Sequence, residues 1–184
     1  MGRIEDLAAS YERNITPPWQ RNLSGAQKAI FVVYQKEDER KLRAKIGDFE
    51  VRTRNAGHTW KLIDITHLFS SWMSKEEYRE SYFEDPEDLR LKLDTDFLNF
   101  ACDVLHSGLT AEDVDENTVV AVLGSAALYG FLHLSEVLER VSADIRGRLM
   151  LFFPGTFEQD AYSLLGARSS WNYLATPITH RQGD

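Results

Sequence analysis

Thr118-Val-Val-Ala-Val-Leu-Gly-Ser-Ala-Ala-Leu-Tyr-Gly-Phe-Leu-His-Leu-Ser-Glu-Val-Leu-Glu-Arg-Val141 decides the fold. A β-branched apolar run ends in Gly124-Ser125, and a helical pattern follows almost at once. Strand, tight turn and helix in this order are how a parallel sheet presents a ligand loop, because the N–H groups of the first helical turn are free. The spacing predicts a strand over 119–123 with Ser125 as the N-cap of the helix, and places His133 two turns into it. A phosphate-binding loop needs a Lys followed by Ser or Thr at the helix start. Ala126-Ala127-Leu128-Tyr129-Gly130 supplies no cation there. A nucleophile elbow wants Gly two residues before and after the Ser, where this chain has Leu123 and Ala127.

Outward from this unit, strands and helices alternate. Ile4, Leu7, Ala8 and Tyr11 share one face of a helix over residues 1–15, which Thr16-Pro17-Pro18-Trp19 ends, leaving an irregular arm to residue 27. Ala29-Ile-Phe-Val-Val-Tyr34 has the unbroken apolar character of a buried parallel strand. The charged helix from Lys36 packs through Leu42, Ile46 and Phe49 and stops at Asn55-Ala-Gly57. Trp60–Ile65 reads as a second strand, with Thr66 as N-cap of a short helix to Met73. Asp85-Pro86-Glu87-Asp88 starts another helix, acidic in its first turn, which runs to about Ser107-Gly108 with the glycine as a left-handed C-terminal stop. Arg148–Phe153 is a strand closed by Pro154-Gly155, and Tyr173–Ile178 a last one, confined to a sheet edge by Pro177. The expected fold is α/β: one domain over 1–184, a three-layer Rossmann-like arrangement with a mainly parallel sheet of about five strands flanked by helices.

Composition narrows the function. A formal net charge of −8 argues against nucleic acid as the main partner. The single Cys102 lies in an apolar helical pattern and reads as packing. The acidic N-terminal residues do not resemble a signal peptide, and no apolar run approaches the ~20 residues of a membrane span, so the expectation is a cytoplasmic protein.

Sites in such sheets lie beyond the C-terminal strand ends. The five histidines are scattered without zinc-ligand spacing, and the carboxylates Glu37, Asp38, Asp64 and Asp88 read as solvated charges rather than a magnesium site. The expectation is no catalytic residue, no metal and no cofactor. Two surfaces suit a protein partner. One is the acidic block 75–96 with its insertions Tyr78, Tyr82 and Phe83. The other is the aromatic C-terminal run with Phe157, Arg168, Trp171, Asn172 and Tyr173. Those C-terminal residues serve equally well as the cap of a sheet edge.

The apolar strand followed by Lys36-Glu-Asp-Glu-Arg-Lys-Leu-Arg, then Leu62-Ile-Asp-Ile, then Phe153-Pro-Gly-Thr, then Asn172-Tyr-Leu-Ala-Thr-Pro-Ile, resembles the BrxB family along about Pro18 to Ile178. These are small accessory proteins of bacterial BREX phage-defence operons. The resemblance implies a non-enzymatic component that binds protein partners. They are a PglZ-type phosphatase-like protein and other BREX components, among them a large ATPase and a DNA methyltransferase. It carries no catalytic residues over. The alternative from the residues themselves is a nucleotide- or anion-responsive module, or a metal-dependent enzyme, using the Gly124-Ser125 loop.

Overall fold

Five strands of the computed structural model, which describes residues 2–167 and 170–180, lie side by side and all parallel. They are β1 (Ala29–Tyr34), β2 (Thr59–Asp64), β3 (Thr118–Leu123), β4 (Arg148–Glu158) and β6 (Thr176–Thr179), in the spatial order β2-β3-β4-β1-β6. Every residue of β1 and β3 is buried, as unbroken apolar runs require in a sheet covered on both faces. Alternate side chains split the core in two. Ile30, Val32 and Tyr34 face one layer of helices, while Ala29, Phe31 and Val33 face the other.

The first layer holds α1 (Arg3–Ile15), α2 (Glu39–Ala44) and α3 (Ile46–Asn55). Ile4, Leu7, Ala8, Tyr11 and Ile15 of α1 are buried with Leu42 and Phe49. The second layer holds α4 (Leu68–Met73), α5 (Arg79–Glu84), α6 (Pro86–Lys92), α7 (Leu98–Leu109) and α8 (Leu134–Val141). Its core includes Leu68, Trp72, Phe97, Leu98, Ala101, Val137 and Leu138. Full burial of side chains of this size contributes roughly 1.5–3 kcal/mol each. The connection from β1 to β2 uses the first layer and travels one way along the sheet; those from β2 to β3 and β3 to β4 use the second and return. Opposite directions on opposite faces are what crossovers of a single hand produce. The expected three-layer, mainly parallel α/β fold is therefore present, and its connections part between β1 and β4.

Several local expectations are corrected. The helix after β3 begins at Leu134, not at Ser125: residues Ser125–Leu128 form a single tight 3-10 turn. Gly124 takes the cap position in a left-handed conformation (φ 97°), and no side chain caps the turn. His133 consequently occupies the exposed N-cap of α8 rather than its interior. Thr66 is not the cap of α4; His67 is, and Thr66 turns back to Asp64. The charged helix after β1 is two helices, broken at Lys45.

Gly108 stays inside α7. Its role is close packing, because a Cβ there would collide with Ile63 Cδ1. Pro154-Gly155 does not close β4, which continues to Glu158 and pairs antiparallel with β5 (Ala161–Leu164). Gly155 lets the hairpin close, since a Cβ would run into the Ser163 carbonyl. The two-residue turn Gln159-Asp160 has positive φ at both positions, the backbone that matches the twist of a hairpin. Among the described residues β6 pairs only to β1, the edge position expected of a strand with Pro177, but it begins at Thr176 rather than Tyr173. Asp85 caps α6 as expected by accepting from the Glu87 N–H at 3.2 Å.

Candidate functional site

Beyond the C-terminal strand ends the chain builds a connected polar network. The Tyr34 hydroxyl, at the end of β1, donates to the Glu39 carboxylate. Burial pushes the Tyr34 hydroxyl well above its ordinary pKa, and the adjacent carboxylate adds to the effect. Glu39 also receives Arg43 Nε at 2.7 Å, and Arg43 Nη2 donates to Thr66 Oγ1 at 3.0 Å. Thr66 donates both its N–H and its hydroxyl to Asp64 at the end of β2. Burial works to raise the Asp64 pKa, but those two hydrogen bonds and the Arg43 charge outweigh it and hold the carboxyl below the usual range. Nearby, Asp38 is 3% exposed and is held by Arg3 at 2.8 Å and Lys41 at 3.3 Å. Desolvation opposes ionisation there too, and the two cations more than reverse it.

The Gly124-Ser125 turn is packed into this edge. A Cβ on Gly124 would stand 2.5 Å from Thr66 Oγ1 and 2.6 Å from Thr66 N, so the turn lies directly on the end of β2. Ser125 is fully buried, and its hydroxyl donates to the Phe152 carbonyl of β4 at 3.0 Å. The Ser125 hydroxyl, one of the donors an anion could use, is thus taken up by a neighbouring strand. Of the four carboxylates, Asp38 and Asp64 carry the pairings just described, Glu37 is exposed beside them, and Asp88 lies in α6 within the other helical layer. Among the described residues, no group of three His, Cys, Asp or Glu is arranged to hold a metal ion.

The two surfaces expected to suit a protein partner differ. In the C-terminal run the rings pack inward. Tyr173 stacks on Phe31 at 5.5 Å, Trp171 meets Phe153 edge-on at 5.7 Å, and Phe157 lies against Tyr162 at 4.6 Å. The buried Tyr162 hydroxyl donates to the Ala175 carbonyl at 2.8 Å, tying the segment down. Asn172 is exposed, and Arg168 lies outside the described residues. This segment covers the sheet, so Phe157, Trp171 and Tyr173 are largely spent on the fold. A groove of about 940 Å³ separates it from the turn carrying Tyr129 and His133.

On α5 and α6 the outcome is mixed. Tyr82 is buried in the core and is not available to a partner, which corrects its place in the expected surface. Its neighbours are exposed: Tyr78 at 64% and Phe83 at 73%. Leu91, absent from the expected surface, is exposed at 75% and shares a depression of about 520 Å³ with Tyr78. Its signal in the sequence is weak: α6 has no fully buried side chain, and Leu91 lies opposite the half-buried Leu89. A π-helical turn, Leu93–Phe97, joins α6 to α7 beside this depression.

No described helix is long and apolar enough to cross a membrane. Fold and surface together define a three-layer parallel α/β domain with an acidic, apolar-studded helical face. Set against protein-family models, curated proteins and solved structures, the chain matches none of them.

Proposed function

We propose that this chain is a non-catalytic interaction protein of a BREX-type phage-defence system. In this reading it works in the cytoplasm by binding protein partners, chief among them a PglZ-type phosphatase-like protein. One observation carries the reading: polar groups at the strand ends are committed to one another, whereas large apolar side chains stand in solvent on α5 and α6. Exposed apolar residues rimmed by charge are the mark of a protein-binding surface. The sequence resemblance to the BrxB family supplies the biological setting. Co-expression of the tagged full chain with a PglZ-type protein from the same genome tests the proposal. A complex that survives gel filtration is expected, and recovery of the chain alone overturns it. A melting screen with nucleotides and divalent metals is expected to be flat. A ligand at about 100 times its dissociation constant would instead add about 2.7 kcal/mol and favour a ligand-responsive module.

A further inference from the structure

Resting on the interaction-protein reading, we propose that the α5–α6 face is the docking surface for a basic segment of a partner protein. That segment seats apolar side chains against Tyr78, Phe83 and Leu91 while its lysines or arginines meet the surrounding acids.

Two independent features converge on this face. The first is apolar exposure: Tyr78, Phe83 and Leu91 are 64%, 73% and 75% exposed, within one short stretch of chain. The second is charge. From Glu76 to Asp96 there are nine acidic and three basic residues. Among the described residues, only Asp96 of those nine acids forms an ion pair, with Lys92 at 2.7 Å. The opposite helical layer treats its acids differently. Glu5, Glu12, Asp38, Glu39, Asp48 and Glu50 are all paired there. An acidic stretch alone is ordinarily a solvated face. Unpaired acids in the same short stretch as exposed aromatic and leucine side chains, with Asp88 lining the depression that Tyr78 and Leu91 share, give a surface whose complement is cationic and apolar together.

The other classes of occupant fit poorly. Anionic lipid headgroups and nucleic-acid phosphates are repelled by a field of this sign. A second copy of the chain in a two-fold contact would bring the same acidic patch against itself, and like charges facing each other are costly.

Fluorescence anisotropy with the full chain and a synthetic amphipathic lysine–leucine peptide tests the inference, with a twin carrying glutamate for lysine as control. The basic peptide is expected to bind, more weakly as salt rises, and the acidic twin not to bind. Y78S/F83S/L91S leaves net charge unchanged and is expected to weaken binding about tenfold or more, since apolar anchors dominate such contacts. The charge variant E84K/D88K keeps those anchors and is expected to weaken binding as well. Equal binding by wild type and the serine variant overturns the inference, because attraction would then be diffuse charge alone. So does binding of the acidic twin, absence of binding, or sedimentation as a dimer that the serine variant abolishes. Failure here with the PglZ-type complex intact leaves the interaction reading standing and moves its surface elsewhere. Peptide binding with no such complex removes the BREX assignment and keeps the surface.

Discussion

Gly124→Ala probes the turn whose sequence has the pattern of a ligand loop. Gly124 has φ of 97°, and the space for a Cβ is filled by Thr66: its N at 2.6 Å and its Cα at 2.9 Å are backbone atoms that cannot swing aside. A left-handed conformation costs a residue with a Cβ about 1–2 kcal/mol, and forcing extra volume into a packed site about 1–3 kcal/mol more. The expected loss is therefore about 2–5 kcal/mol, near the whole stability of a marginal domain at its upper end. Gly130→Ala is the matched control. Gly130 also has positive φ, at 82°, but nothing lies within 4 Å of the position a Cβ would take, so only the conformational cost of about 1–2 kcal/mol applies. Urea unfolding followed by tryptophan fluorescence and circular dichroism reads the difference. With a slope of about 2.5 kcal/mol/M, the Gly124 variant should lose roughly 0.8–2 M in midpoint and the Gly130 variant roughly 0.4–0.8 M. Equal shifts for the two variants would refute the close-packed turn and reopen it as a space for a ligand.

The remaining expectations concern buried polar contacts and packing. Tyr11 and Thr53 hydroxyls meet at 2.6 Å in the core, and Thr53 also donates to the Phe49 carbonyl at 2.7 Å. Tyr11→Phe leaves Thr53 satisfied and should cost about 1 kcal/mol, whereas Thr53→Val strands the Tyr11 hydroxyl and should cost about 1–3 kcal/mol; equilibrium unfolding distinguishes the two. Asp38→Asn should cost about 1–2 kcal/mol near neutral pH, since the solvated ends of Arg3 and Lys41 can return to water. The folded-state pKa of Asp38 lies below its ordinary 3.8, so this contribution is complete above that value and is lost as pH falls through the folded one. Unfolding curves for wild type and variant should therefore stay a constant distance apart above about pH 5 and converge in more acidic solution. Gly108→Ala should shift the melting temperature far less than Gly124→Ala, because its Cβ meets only the far end of the half-buried Ile63 side chain, and Ala is the better helix former by about 1 kcal/mol.

Much of the frame was legible because two signals are strong in a parallel α/β chain. Unbroken apolar runs marked β1 and β3, and the three- and four-residue spacing of Ile4, Leu7, Ala8 and Tyr11 marked α1. The misreadings occur where a tertiary contact overrides local preference. Ala126-Ala127-Leu128 has helical composition, yet Ser125 is drawn to the Phe152 carbonyl and Gly130 turns the chain, delaying the helix to Leu134. The β4–β5 hairpin was hidden because Gln159-Asp160 adopts left-handed backbone without a glycine. Gly108 has the pattern of a helix stop, but it packs inside α7 against the Ile63 side chain of a distant strand. The same holds for the interaction surface. Tyr78, Tyr82 and Phe83 are indistinguishable by composition, and only the packing of α5 buries the middle one and leaves the outer two in solvent.

Hydrogen–deuterium exchange of the full chain, alone and with the PglZ-type partner, tests the central claim most directly. The account predicts slowed exchange across Tyr78–Asp96 on complex formation, with the buried turn at Gly124-Ser125 and the C-terminal ends of β1 and β4 unchanged. Protection confined to the strand-end turns or to the aromatic run from Phe157 to Tyr173, with none on α5 and α6, would contradict it.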